Sequence, residues 1–432
     1  MSGKFGYNAT FMLRKTTTIA PKNRTVNVGK HIVIIGGGYG GLRAVEFLAK
    51  EPNLTITLID KNPYHYLQTE AYGYIAGRFD IHDIAIDLEQ WCSGFKGKVR
   101  FCNDYVHSLD FAAQTITCHT QTLSYDYLII ATGAQTNFFS FIEGLRANSH
   151  GVKNLERAYN FRKEFEDLIY KQMQNEEHAK TESINIAIGG AGLSGVEVAA
   201  EMANVIHTYS KTIGERAKAI KIYLIDASKT ILPGMSDYVI ENTQKRLESL
   251  GVEILTDSFI NNVDGEQIMF KDGSRLKYRF MIFTGGIKAS NLNNKIDTSK
   301  NKTAQFLTDD MLRIQGQNNV FAIGDCVEVR DARGEILPPT AQIAEKSAEY
   351  AAHAIHMLLQ GKIPRAFDAS VSGIFIALGG HYAVGEMFGF IKVKGYWAYL
   401  LKKAITYAYY LGLHLRINTG YKNRIKEHQA KE

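Results

Sequence analysis

Apolar and polar positions follow two rhythms along this chain. Short apolar runs rich in Ile and Val predict buried strands, and apolar residues three or four apart predict the helices that cover them. The strand runs lie at 32–35, 54–59, 99–102, 115–118, 127–130, 184–188, 220–225, 252–255, 281–283 and 320–322. Helical spacing follows the first run (Leu42, Ala44, Val45, Phe47, Leu48) and the run at 184–188 (Val198, Ala199, Met202, Ala203, Ile206). Residues 155–176 and 239–250 read as further amphipathic helices. Strands alternating with helices predict an α/β chain built on parallel sheets.

The arrangement runs twice, which points to two Rossmann-like units. The first run leads into Gly36, Gly38 and Gly41 of a G-x-G-x-x-G loop, with Gly40 beside them, and the run at 184–188 leads into Gly190, Gly192 and Gly195. In such a loop the glycines permit a tight turn, close backbone approach to a pyrophosphate and close helix–strand packing. Each following strand ends in an acid, Asp60 and Asp226, placed to accept hydrogen bonds from a ribose hydroxyl. A carboxylate at Asp226 repels a 2′-phosphate and so favours NADH, although nearby Lys229 leaves NADPH open. Small-residue turns, Ala131-Thr132-Gly133 and Thr284-Gly285-Gly286, close each unit where a cofactor can touch backbone. Asp325, after Gly324 in VFAIGDC, is a candidate acceptor for a ribityl hydroxyl. The tyrosine-dense stretch 62–77 suits either the side of a flat ring or ordinary core packing.

Composition narrows the partners. With 432 residues, 45% hydrophobic and 22% charged, the chain can build several ordinary globular cores. Its net charge of +6 comes from residues 1–30, which hold six Lys or Arg and no acid; the remainder holds 44 bases and 44 acids. No basic body is left for a nucleic-acid partner. The extension is either a transit-type presequence, or a disordered tail or the product of an upstream start codon; the missing secretory apolar region and the sharp start of the pattern at His31 favour the latter two. Cys92, Cys102, Cys118 and Cys326 show neither C-x-x-C nor zinc spacing, so no dithiol centre and no metal site are expected, and a reducing compartment is the simpler reading. No run reaches the ~20 apolar residues of a spanning helix.

These residues in this order, with Glu197 in GGAGLSGVEVAAE and with PPTAQIAEKSA at 338–348, resemble the two-dinucleotide-binding-domain flavoproteins. Within them the chain is most similar to type II NADH dehydrogenases, the single-subunit NADH:quinone oxidoreductases. The resemblance implies non-covalent FAD on Gly36, Gly38, Gly40, Gly41, Asp60, Thr132, Gly133, Gly324, Asp325, Ala341 and Gln342. It implies NADH on Gly190, Gly192, Gly195, Asp226 and Gly285, with Glu197 near the contact between the two rings. Hydride would pass from NADH to FAD and two electrons on to a membrane quinone, without proton pumping. The family's Ala-Gln-x-Ala-x-Gln signature appears as Ala341-Gln342-Ile343-Ala344-Glu345-Lys346, which makes Gln342 the polar neighbour of the quinone and Lys346 a carbonyl donor in place of glutamine. A family Lys-Gly pair appears as Ser372-Gly373. The implied organisation is an extension (1–30), an FAD-binding domain in two parts (31–150 and 287–365) enclosing an NADH-binding domain (151–286), and a membrane-association and dimerisation region (366–432).

The last region has its own signal. From Met387 to Lys426 there are eight Lys or Arg and no acid. A helix over 396–415 places Lys402, Thr406, Tyr410 and His414 on one face and Trp397, Leu401, Ile405, Ala408 and Leu411 on or near the other. This predicts a helix lying in anionic headgroups, its cations at the surface, as against one docked on the protein's own core or a partner copy. Together with the resemblance, the expected protein is a peripheral homodimer on the cytoplasmic face of the inner (plasma) membrane. The rivals are a sulfide:quinone oxidoreductase, disfavoured because no cysteine lies between Cys118 and Cys326, a soluble reductase of an electron-transfer protein, and a nucleotide sensor without turnover.

Overall fold

Every apolar run named above forms a strand, and the glycine loops sit between strand and helix as predicted. The computed structural model describes residues 29–174, 183–213, 219–331 and 333–429; the basic extension lies outside these residues up to position 28. The elements that position the site are, in order, β1 (Lys30–Ile35), α1 (Tyr39–Leu48), β2 (Leu54–Asp60), α2 (Leu88–Ser93), β3 (Val99–Asn103), β4 (Tyr127–Ile130) and β5 (His150–Gly151). They continue with α3 (Leu155–Gln174), β6 (Ile184–Gly189), α4 (Leu193–Ile213), β7 (Ile220–Ile225), α5 (Asp237–Ser249), β8 (Val252–Leu255) and β9 (Phe280–Phe283). The chain closes with β10 (Val320–Ala322), α6 (Ala341–Leu359), the strands β11 (Gly373–Ala377), β12 (Ala383–Met387) and β13 (Ile391–Gly395), and α7 (Tyr396–Gln429).

Two five-stranded parallel sheets share one topology. The first runs β10-β4-β1-β2-β3 and the second β5-β9-β6-β7-β8. In each, the glycine loop leaves the strand at which the order reverses, where crossover helices diverge and a crevice opens. The outer strand of the first sheet comes from beyond the second, so the two units interlock. Alternate residues of β1 enter different cores. Ile32 and Ile34 meet Leu42 and Val45 of α1, while Val33 and Ile35 join the cluster of Phe306 and Val320. A strand covered on both faces has to be apolar throughout, which is why these runs do not alternate. Leu42, Val45 and Leu48 are at most 1% exposed, and each contributes about 1.5–3 kcal/mol through burial. The tyrosine-dense stretch divides, with Tyr72 and Tyr74 in the core and Tyr64 and Tyr66 lining the crevice as well.

β11, β12 and β13 form an antiparallel meander that delivers the chain into α7. That helix runs to Gln429, beyond the predicted end, and lies across α2. Two glycines set the spacing: a methyl group on Gly94 would strike the Arg416 carbonyl, and one on Gly420 would strike the Ser93 hydroxyl. Gly94→Ala is therefore expected to lower stability by about 1–3 kcal/mol, read as a shifted urea midpoint at unchanged slope. An unshifted midpoint would mean that the crossing yields at no cost.

Candidate active site

The two nucleotide cradles are built alike. Gly36 and Gly190 have φ of +113° and +103°, and a side chain on either would run into the backbone after the neighbouring strand, at Ala131 and Gly285. Gly41 and Gly195 pack against the carbonyls of Gly36 and Gly190, which holds each helix to its strand. The paired acids are also equivalent. Asp60 accepts from Gly37 N (2.6 Å) and Asn62 N (2.8 Å), and Asp226 accepts from Ala191 N (2.6 Å) and Ser228 N (2.7 Å). Each acid thus braces its own glycine loop, and a carboxylate with about four acceptor positions retains some for a ribose. Burial pushes the Asp60 carboxyl above its ordinary pKa, against the pull of those two N–H groups.

A cavity of about 1130 Å³ opens over the first cradle, lined by Gly36, Gly38, Gly40, Asp60, Thr132, Gly133, Gly324, Asp325, Ala341, Gln342 and Glu197. Gly38 and Gly133 have no atom within 4 Å of where a side chain would start, so backbone is bare to the cavity there. The volume and the glycine floor with its acid at the rim fit a flavin dinucleotide. Gly41 lies beneath the floor. Gly190, Gly192, Gly195, Asp226 and Gly285 form the second cradle, outside this cavity; the start of α4 (Leu193, Ser194, Glu197) and the stretch Gly234–Ser236 bring the second unit to the cavity wall. One wall residue carries no sequence signal: Lys153 donates to Asp325 (2.9 Å) and so shares the carboxylate assigned to the ribityl chain.

Glu197 is not an isolated first-turn acid. Its Oε1 accepts from Lys402 Nζ (2.7 Å) and Ala377 N (2.9 Å). Burial pushes its carboxyl upward, and Lys402 opposes this. The next residue of α7, Lys403, donates to the buried Glu70 (3.0 Å), which also accepts from Thr406, one turn on (3.0 Å). The polar face of α7 is therefore turned onto the protein's own acids, a correction to the headgroup placement predicted for Lys402 and Thr406. The apolar face is left outward, with Trp397 73% and Ile405 60% exposed. Buried acids with no cation of their own decide the orientation, since an unpaired charge costs several kcal/mol and an exposed apolar side chain far less.

On α6, Gln342 accepts from Ser372 N (3.0 Å) through Oε1, which leaves its NH2 group as a donor on the cavity wall. Lys346 is not brought to the cavity. Its ammonium donates to the Ser370 carbonyl (2.5 Å) and the Ser372 hydroxyl (3.2 Å), beside the position where the resemblance places a lysine. With the Ser370 hydroxyl (3.4 Å) as a further acceptor, its donors are engaged away from any quinone. The helix also brings in residues that sequence reasoning missed. Tyr409 donates to His65 Nε2 (3.0 Å), because His65 Nδ1 carries the proton it gives to the Gly37 carbonyl (2.9 Å). Burial pushes His65 down to about 4, so it is neutral in this link between α7 and the first cradle.

A family model for pyridine nucleotide-disulphide oxidoreductases matches residues 30–354. The chain is 29% identical over 389 residues to a type II NADH:quinone oxidoreductase of Staphylococcus aureus, covering 87% of this chain and 94% of that protein. The counterpart of Staphylococcus haemolyticus is also 29% identical, with the same coverage. Among solved structures, NDH2 of Plasmodium falciparum in complex with NADH has a TM-score of 0.79 at 20% identity, covering 92% of this chain and 98% of that one. The sulfide:quinone oxidoreductase of Aquifex aeolicus reaches 0.75 at 20% identity, covering 90% and 92%. At such identities the structural likeness speaks for the fold. With a sequence match that runs through both nucleotide cradles, the chain belongs to the pyridine nucleotide-disulphide oxidoreductase family.

Proposed function

We propose that the chain is a type II NADH:quinone oxidoreductase with FAD as its bound cofactor. One observation carries the reading: a single cavity runs from the first glycine loop, past Glu197, to Ile405 on the exposed apolar face of α7. A water-soluble donor and a lipid-soluble acceptor need such a route, with one end at a nucleotide cradle and the other at an apolar surface. Bound FAD would supply the ring that accepts hydride. Gly36, Gly38 and Gly40 would receive its pyrophosphate at the start of α1, Asp60 its adenosine ribose, and Asp325, steadied by Lys153, its ribityl hydroxyls. Gly190, Gly192 and Gly195 would hold NADH, with Asp226 at the ribose. The start of α4 would then aim the nicotinamide into the cavity at Glu197. Gln342 would offer its NH2 group to a quinone carbonyl, while Lys346 holds the Ser370–Ser372 wall rather than the acceptor.

The sulfide:quinone reading lacks its chemistry: all four cysteines are free and buried, and none lines the cavity. Among the described residues no helix is long and apolar enough to cross a membrane. The outward face of α7, continued by Phe388 and Phe390, supports peripheral attachment, which we assign to the cytoplasmic face of the plasma membrane. The same region would carry the homodimer contact, checked by mass in solution.

The reading is tested anaerobically. NADH is expected to bleach the flavin absorbance of the purified protein, and a short-chain quinone to restore it within the same mixing experiment. Bleaching without reoxidation by quinone would move the acceptor to a protein partner; no bleaching would remove NADH as the donor.

A further inference from the structure

Six acids line the cavity, and five of them, Asp60, Asp104, Glu197, Asp325 and Glu386, hold hydrogen-bond partners. Glu345 lies on α6 one turn after Gln342, and both side chains line the cavity. Its carboxyl group makes no hydrogen bond or ion pair among the described residues. The neighbours are all engaged elsewhere. Arg43 of α1 gives Nε (2.7 Å) and Nη2 (2.5 Å) to Glu349 and Nη1 (3.3 Å) to Glu46. The Tyr39 hydroxyl is paired with Thr69 (2.8 Å), and the Tyr409 hydroxyl donates to a neutral His65. Facing Glu345 are thus one cation already held by two acids, the acids Glu46 and Glu349, and two phenols. Burial, with those acids, pushes the Glu345 carboxyl up to about 7 against the pull of Arg43. Held there, it can carry a proton near neutral pH, in the cavity that Gln342 and Ile405 also line.

Resting on the oxidoreductase reading above, we propose that Glu345 delivers the solvent proton that quinone reduction consumes. The net reaction, NADH + H⁺ + quinone → NAD⁺ + quinol, takes one hydride from NADH and one proton from outside. The hydride carries both electrons and one hydrogen. The second hydrogen comes from the Glu345 carboxyl, whose O–H bond breaks as a quinone oxygen gains its proton, and water entering the cavity reprotonates the carboxylate. General acids positioned in this way accelerate their step by about a hundredfold or more.

The test compares wild type, Glu345→Gln and Glu345→Asp at matched flavin content. Reoxidation by a short-chain quinone, taken relative to bleaching by NADH, is expected to fall about a hundredfold in Glu345→Gln and to recover in part in Glu345→Asp. The wild-type rate of reoxidation is expected to decline as pH rises through about 7, and that limb to vanish in Glu345→Gln. Independently of turnover, the infrared band of a protonated carboxyl titrating near neutrality is expected in wild type and absent in Glu345→Gln. If the variant keeps the wild-type ratio and pH limb, the proposal is overturned. If Glu345→Gln does not fold, the pH limb of Glu345→Asp decides, because a shorter acid in the same place must shift it. Failure of the wild type itself to pass electrons to quinone would overturn the functional reading, a result distinguishable from the first.

Discussion

Glutamate at Trp397, Leu401 and Leu415 together is expected to weaken binding to anionic phospholipid vesicles by ~10³-fold, read by co-sedimentation. The three side chains are 73%, 41% and 57% exposed on the outward face of α7 and take no part in its docking. Burying side chains of this size in an apolar phase contributes ~1.5–3 kcal/mol each, of which roughly half is available here because they are partly buried already. Each new carboxylate adds repulsion from anionic headgroups of ~1 kcal/mol. Together these terms exceed the ~4 kcal/mol that a thousandfold loss requires. Point substitution is preferred to deleting the helix, since deletion would also remove Lys402, Thr406 and Tyr409 from the cavity wall. Unchanged vesicle binding would show that the outward face does not meet the bilayer.

The second large effect is on stability. Lys402→Met leaves the Glu197 carboxylate in place without its cation, and breaking a buried pair in this way costs about 3–5 kcal/mol. The pH dependence follows from the two shifts. Burial works to lower the Lys402 pKa, but Glu197 and Glu70 outweigh it and hold the value above that of an ordinary lysine. The stability it contributes is therefore fully present below the ordinary lysine range and is lost as pH rises through the raised value. The Glu197 pKa is raised by burial, so its ionisation costs stability as pH climbs out of the ordinary carboxylate range, and the cost grows once Lys402 is gone. The deficit of Lys402→Met is expected to be smallest in acid, where Glu197 is protonated, and largest at neutral pH. Urea unfolding at about pH 5 and about pH 8 would measure it, and adding Glu197→Gln should restore most of the loss. An equal deficit at both pH values would show that the charge on Glu197 is not the cause.

Much of the site was legible because its demands are local. A glycine is required where φ is positive and where helix and strand touch, so both cradles stand out within a few residues of Gly36 and Gly190. The acids Asp60 and Asp226 end adjacent strands, and strand length alone carries them to their loops. The fates of Lys346 and Glu345 were not legible. Both sit in a stretch read for its family pattern, and the one that reaches the cavity is the one the pattern leaves unspecified.

The sequence by itself determined the two parallel α/β units, their glycine loops and acids, and a two-faced C-terminal helix, since each follows from the order of apolar, polar and glycine residues over short spans. Only the tertiary structure decided which face of that helix turns inward. Periodicity defines two faces, but Lys402 meets Glu197 and Lys403 meets Glu70 across 205 and 333 positions of chain. A pairing at that distance leaves no trace in local pattern, and the free energy of neutralising two buried acids outweighs that of hiding an apolar stripe.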